Sequence, residues 1–265
     1  MHELVKKLPE GLSQWHSLGA RVTLLPDHTL SVPVIEIATP SPSPAHPSVI
    51  VETGLHLEED SGPFLALSPH LLLPILLPLV RSGIDILIYP DVNQHGLKYH
   101  PKDDPKLLRY NPQGYNYNDG WGVSYNKSTE VAITEAHINQ HLSTHTPLLF
   151  LSLHEDSDHR ETGYLWTNGI NDQRTRKELH QRFTNIWGAQ QLLKNAPPQM
   201  LCGGTCEEGY ILVDSQDPGS IEHWLGETHH IPTILSEAPF GANLQDRMKF
   251  HASVAAAAVG LLHLE

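Results

Sequence analysis

Cysteine is nearly missing from this sequence, with only Cys202 and Cys206 in 265 residues. Two thiols cannot staple a chain of this length, so the disulfide-rich secreted class is excluded, although the pair could close a small local loop. Lysine and arginine are scarce as well, 17 against 30 Asp and Glu, giving a formal charge of −13 with no basic run. Phosphate recognition needs clustered cations, so neither nucleic acid nor an anionic membrane is expected as a partner. Long apolar runs are also lacking. The most hydrophobic stretch, Phe64 to Val80, carries Pro69, His70, Pro74 and Pro78, and it falls short of the ~20 apolar residues that a spanning helix requires. The segment from Met1 to Leu24 holds Lys6, Lys7, Glu10 and Trp15 without a continuous apolar core. That pattern is unlike a secretory leader and gives the expectation of a cytoplasmic protein. Finally, G-x-G-x-x-G, phosphate-loop and G-x-S-x-G motifs do not occur, which leaves nucleotide-dependent and serine-hydrolase chemistry without support.

What the chain has in excess is histidine, 19 residues. Neutral imidazole is the commonest metal ligand, so metal binding is an early question. Short β-rich runs alternate with longer helical patterns. Strands are expected at Arg21–Leu25, Leu30–Ala38, Ser48–Glu52, Ile84–Tyr89, Leu148–Leu153 and Thr233–Ser236. Helices are expected at Gly62–Ser82, Ser128–Thr144, Asp172–Leu193, Ser220–Thr228 and Arg247–Leu264, the first started by Pro69 and kinked further on. The alternation predicts an α/β fold, a single domain over residues 1–265, with a largely parallel or mixed sheet covered on both faces. In such sheets ligands bind beyond the carboxyl ends of the strands.

Those ends carry chemistry. His56 and Glu59 follow the SVIVE strand, His154 follows LLFLSL, and Glu237 follows TILS. Two His and one carboxylate with an open position make the ligand set of a catalytic zinc site, and an i, i+3 spacing puts His56 and Glu59 on one side of a turn. Alone, an H-x-x-E match arises by chance in a chain with 19 His, and a strand-end His is most often a hydrogen-bonded surface group. The remaining histidines His95, His100, His137, His141, His145 and His159 lack ligand spacing and read as solvated surface; His229 and His230 read as loop.

Order and company carry the argument further. Gly54-Leu-His56-Leu-Glu-Glu59 is followed by Pro90-Asp-Val-Asn93-Gln-His-Gly96, then Arg109-Tyr-Asn111-Pro-Gln-Gly114-Tyr-Asn116-Tyr-Asn118-Asp119, then His154, Gly219-Ser220-Ile221 and Glu237. In this order the sequence resembles the zinc carboxypeptidase family, the carboxypeptidase A-like metallopeptidases and their smaller bacterial relatives, over about residues 19 to 260. The resemblance implies a mixed, twisted central sheet of about eight strands with helices on both faces. It also implies one zinc per chain on His56, Glu59 and His154, and Glu237 as the general base that activates water and returns the proton to the leaving amine. Arg109 matches the arginine that stabilises the oxyanion, and Asn118 the asparagine that anchors the substrate's terminal carboxylate. Their bland alternatives are a surface ion pair and a turn-forming Asn.

The departures bear on specificity. Asp119 stands where the family places a clamping Arg, and it would repel a terminal carboxylate. Glu58 and Glu155 add further negative charge. The substrate is therefore expected to carry a cationic or neutral group at that end, unless Arg160 or Lys127 supplies the clamp. Tyr210 is the nearest candidate for the family's mobile tyrosine, and Ile221 for the residue reading the side chain beside the scissile bond. Cys202 and Cys206 read as a plain tight loop. The expected activity is hydrolysis of an amide bond in a peptide or peptide-like substrate. An N-acyl amino acid deacylase of the desuccinylase and aspartoacylase type is one alternative; a zinc- or peptide-binding protein without catalysis is another.

Overall fold

Alternating apolar side chains set the layers of this protein. The computed structural model describes residues 3–26, 31–39, 46–99, 105–156, 160–170, 172–188, 192, 205–207, 210–212 and 219–262. Helix α1 (Glu3–Ser17) precedes strands β1 (Arg21–Pro26), β2 (Ser31–Ile37) and β3 (His46–Thr53), then helices α2 (Ser61–Ala66) and α3 (Pro69–Arg81). Strand β4 (Asp85–Tyr89), helices α4 (Gln94–Tyr99) and α5 (Thr129–Leu142), and strands β5 (His145–Asp156) and β6 (Tyr164–Asn168) follow. Next come α6 (Gln173–Trp187), β7 (Thr205–Glu207), β8 (Tyr210–Leu212), a helical turn α7 (Ile221–His223), β9 (Thr233–Pro239) and α8 (Leu244–Leu262).

The nine strands form one mixed sheet in the order β1-β2-β4-β3-β5-β9-β6-β8-β7. Its centre, β4-β3-β5-β9, is parallel throughout, and antiparallel pairs occur toward the edges. Val49, Val51, Ile86, Ile88, Leu149 and Leu151 face one side, under α3, α6 and α8. Ile50, Leu87, Tyr89 and Phe150 face the other, against Val131 and Ile138 of α5 and the aromatic pair Trp121 and Trp224. The period of two in these runs is what a strand buried on both faces requires. No helix among the described residues is long and apolar enough to cross a membrane.

The mixed sheet of about eight strands is present with nine, of which β6, β7 and β8 hold only three to five residues each, too short for alternation to show. Two expectations are corrected. The single helix expected over Gly62–Ser82 is two, because Pro69 disfavours helical backbone at Ser68, which sits at φ −117 and ψ 78; α3 then runs on through Pro74 and Pro78. The expected Ser220–Thr228 helix is one α turn capped by Ser220, followed by a wider π turn at Trp224–Thr228.

The histidines of α5 are likewise not plain surface. His137 Nδ1 lies 2.8 Å from Tyr89 Oη, and His141 Nε2 lies 2.9 Å from Ser48 Oγ. His141 also stacks on His145 at 3.9 Å, and His145 faces Asp85 at 3.3 Å. A spacing of four on α5 turns His137 and His141 toward the sheet, and His145 stands at the first residue of β5. His95 packs its ring on Tyr99, whereas His100 and His159 lie outside the described residues.

A further buried histidine yields a test. His251 of α8 is fully buried, with Nδ1 2.8 Å from Ser236 Oγ. Burial, with the charges of His154 and Arg247, pushes its imidazole down to about 3. The unfolded chain therefore takes up that proton first, so this stability is present above the ordinary imidazole range and is lost as pH falls toward 3. Urea unfolding below about pH 6.5 is expected to show a slope shallower in His251→Asn than in wild type by one proton, about 1.4 kcal/mol per pH unit. Parallel slopes would contradict this.

Candidate metal centre and its cleft

The chain leaves β3 through Gly54, whose φ of +75 and whose Cα, with any Cβ only 2.7 Å from Asp91 Oδ1, admit no side chain. Asn93 fixes the loop behind it. Its amide donates to the Gly54 carbonyl, its Nδ2 to Leu108 O, and its Oδ1 accepts the Gly96 amide. A turn closed by Glu59 N to His56 O then brings the two side chains together.

His56 Nδ1 lies 2.7 Å from Glu59 Oε1, and His154 Nδ1 lies 2.8 Å from Glu59 Oε2. The three residues are at most 4% exposed, and their ligand atoms all lie within 4.8 Å of one another. Among the described residues this is the one such cluster. Two imidazole nitrogens and a carboxylate, buried and converging, fit a divalent cation such as zinc. Burial alone would raise Glu59, but the charges of His56 and His154 override it and hold the carboxyl well below its usual range. On the outer side of each ring stands an acceptor. His56 Nε2 is 2.9 Å from Asn116 Oδ1, and His154 Nε2 faces Glu52 Oε2 at 3.8 Å.

Glu237 reaches the cluster through sheet register, since it pairs with His154 across β5 and β9. Its Oε2 is buried and finds no partner among the described residues. Burial first, then the negative charges of Glu59, Asp156 and Glu222, push this carboxyl well above its ordinary value. Together these groups line a cleft of about 250 Å³, with Arg109, Asn118, Glu155, Asp156, Tyr164, Trp166 and Glu222 around its wall. Among the described residues, Arg109 is the one Lys or Arg of that lining. It donates through Nη2 to Glu59 Oε1 at 3.0 Å and through Nε to Glu58.

Asn118 lines the cleft with a buried, unpartnered Oδ1. Asp119, by contrast, is exposed and outside the lining. Ile221 is fully buried in the apolar cluster around Trp121 and does not reach the cleft; its neighbour Glu222 does. Lys127 is paired with Glu135 at 2.6 Å and Arg160 stacks on Phe240, and neither lines the cleft. Nor do Glu58 and Glu155 add free negative charge, because Arg109 pairs with the first and Arg247 with the second. Tyr210 belongs to β8, but its side chain, like that of Cys206, lies outside the described residues, as does Cys202 altogether.

Glu52, Asp156, Tyr164, Trp166 and Glu222 had no role assigned from the sequence, and Asn116 appears there only within the run from Arg109 to Asp119. Glu52 was legible in principle as a carboxylate closing an apolar strand, and Glu222 as the polar residue after Gly219-Ser220-Ile221. For Tyr164, which donates to Asp156 Oδ2 at 2.6 Å, no pattern pointed the way.

No family model matches this chain, and no curated protein matches it in sequence. Its fold is similar to solved structures. A candidate metallopeptidase from Shewanella amazonensis SB2B shares 19% identity at a TM-score of 0.75, covering 99% of this chain and 93% of that one. A metallo-carboxypeptidase from Burkholderia cenocepacia shares 18% at 0.65, covering 96% and 67%. A Pseudomonas aeruginosa metallo-carboxypeptidase in complex with (2-guanidinoethylmercapto)succinic acid shares 18% at 0.61, covering 95% and 67%. The chain thus has the zinc carboxypeptidase-like fold.

Because Gly54 has no room for a methyl group, Gly54→Ala should cost at least ~1–3 kcal/mol from left-handed backbone alone and displace His56. Thermal unfolding and zinc uptake measured together check this: a variant with wild-type melting and full uptake would contradict it.

Proposed function

We propose that this protein is a zinc-dependent hydrolase that cleaves an amide bond in a peptide or peptide-like substrate, in the manner of a metallocarboxypeptidase. The observation that carries the reading is Glu237, a partly buried residue beside His154 by strand register, whose Oε2 is buried and has no partner among the described residues. A stable fold gains nothing from such a group, since an unpaired buried carboxyl is costly. As a base beside a metal centre it has a use.

In this reading His56, Glu59 and His154 hold the metal. The cation, when bound, acidifies water and polarises the scissile carbonyl. Glu237 accepts a proton from the attacking water on Oε2 and delivers it to the departing nitrogen; its raised proton affinity suits it to carry that proton between the two steps. Arg109 supplies positive charge where the carbonyl oxygen becomes negative. Asn118, whose Oδ1 has no partner among the described residues, offers an acceptor for orienting the substrate.

The cleft also favours one class of substrate. Glu59, Asp156, Glu222 and Glu237 line it beside His56, His154 and Arg109, and Glu155 there is matched by Arg247. Glu222 is 2% exposed and keeps Oε1 without a partner. An ammonium or guanidinium on the substrate satisfies that oxygen, so the group expected to be cationic is read by Glu222 and not through Asp119. The P. aeruginosa metallo-carboxypeptidase of the same fold forms a complex with a guanidino compound, in keeping with this reading.

The test is turnover of blocked, acylated and basic-ended peptides by the zinc-loaded protein. Glu237→Gln is expected to lower kcat by roughly 10²–10⁴ while zinc content stays unchanged. Glu222→Gln should lower kcat/KM on basic-ended substrates by about ten- to a hundredfold, the range of a hydrogen bond to a charged group, with little change on neutral ones. If wild type and Glu237→Gln bind zinc and are equally inert across the panel, the hydrolase reading is wrong and a binding protein takes its place.

A further inference from the structure

Glu52 is the least solvated carboxylate near the metal centre. It is the penultimate residue of β3, at 0% exposure, and its Oε2 accepts from Ser152 Oγ at 2.9 Å. Its Oε1 has no partner among the described residues, and neither does His154 Nε2, which faces Glu52 Oε2 at 3.8 Å. One hydroxyl is poor compensation for burying a carboxylate, which needs a paired charge or several hydrogen bonds to offset desolvation. Among the described residues, the positively chargeable group facing it is His154.

We propose that Glu52 is a positioning residue for the metal centre: it takes the Nε2–H of His154, fixing the tautomer and ring orientation in which the Nδ1 lone pair points at the metal. This rests on the metal-binding reading above. Two observations give the assignment its form. Sheet register makes Glu52 a neighbour of Ser152, and side-chain alternation puts Ser152 and His154 on the same face, so the carboxylate sits beneath the imidazole by construction. The other ligand is backed differently, for His56 Nε2 meets the amide oxygen of Asn116 at 2.9 Å. Both rings thereby present Nδ1 inward, one held by a neutral acceptor and the other by an anion. The anionic partner makes His154 the more basic ligand. Glu52 touches neither substrate nor water in this account.

The experiment uses two variants and two readouts. Glu52→Gln keeps the shape and removes the charge; Glu52→Met removes the acceptor. Zinc affinity is measured by competition with a chromophoric chelator, and the His154 tautomer by imidazole ¹⁵N shifts in the metal-free protein. Both variants are expected to bind zinc roughly 10–100-fold more weakly than wild type, and Glu52→Met to lose the Nε2–H signature of His154. Wild-type affinity and an unchanged tautomer in both variants, with only the melting temperature moved, would overturn the proposal and leave Glu52 a structural residue. If wild type itself takes up no zinc, the metal reading fails. The tautomer measurement then still decides whether Glu52 orients His154.

Discussion

The parallel register of β3, β5 and β9 is the constraint from which the site follows. Glu52 lies opposite Ser152, and His154 opposite Glu237, so three adjacent strands deliver two carboxylates and an imidazole to one end of the sheet. A slip of one residue in β5 would turn His154 into the apolar layer beneath α8 and bring a leucine to the cleft. What prevents the slip is the core: Leu149, Leu151 and Leu153 fill one face, and Phe150 packs on the other. Packing and chemistry are thus fixed by the same alternation.

The loops have a different discipline. His56 and Glu59 stand on a segment without regular structure, held by Gly54 on one side and by hydrogen bonds from Asn93 and Leu108 on the other. Asn111 organises the next loop by accepting the amides of Gln113 and Tyr115, which carries Asn116 to His56. Polar residues in these loops satisfy backbone groups that would otherwise be buried and unpaired. The same bonds set the aim of the ligands. The cleft they enclose is acidic, but its charges are of two kinds. Glu58 and Glu155 are each matched by an arginine, whereas Glu222 and Glu237 keep a buried oxygen open.

The proposed metal ligands His56, Glu59 and His154, with Glu237 and Arg109, were legible from residue type and order along the chain, and the structure gathers all five around one cleft. Asn118 also lines it, whereas Asp119 and Ile221 do not. Spacing in a Gly- and Asn-rich loop says little about which side chain turns inward, and a one-residue ambiguity after Gly219-Ser220 separates the buried Ile221 from the cleft-lining Glu222. The strands at the centre of the sheet were legible from their apolar runs. The short edge strands were not, and neither was the break before Pro69, where a uniformly apolar sequence hides a change of element. Glu52 and Asn116 escaped notice because they act through another side chain, a relation with no local period.

Zinc-edge anomalous diffraction from crystals of the metal-loaded protein tests the central claim most directly. The account predicts a strong peak bounded by His56 Nδ1, His154 Nδ1 and Glu59, at the ~2.0–2.2 Å distances of zinc ligands, with Glu237 beside it. A peak held by other residues, or none at this cluster in protein shown to be folded and exposed to zinc, would contradict it.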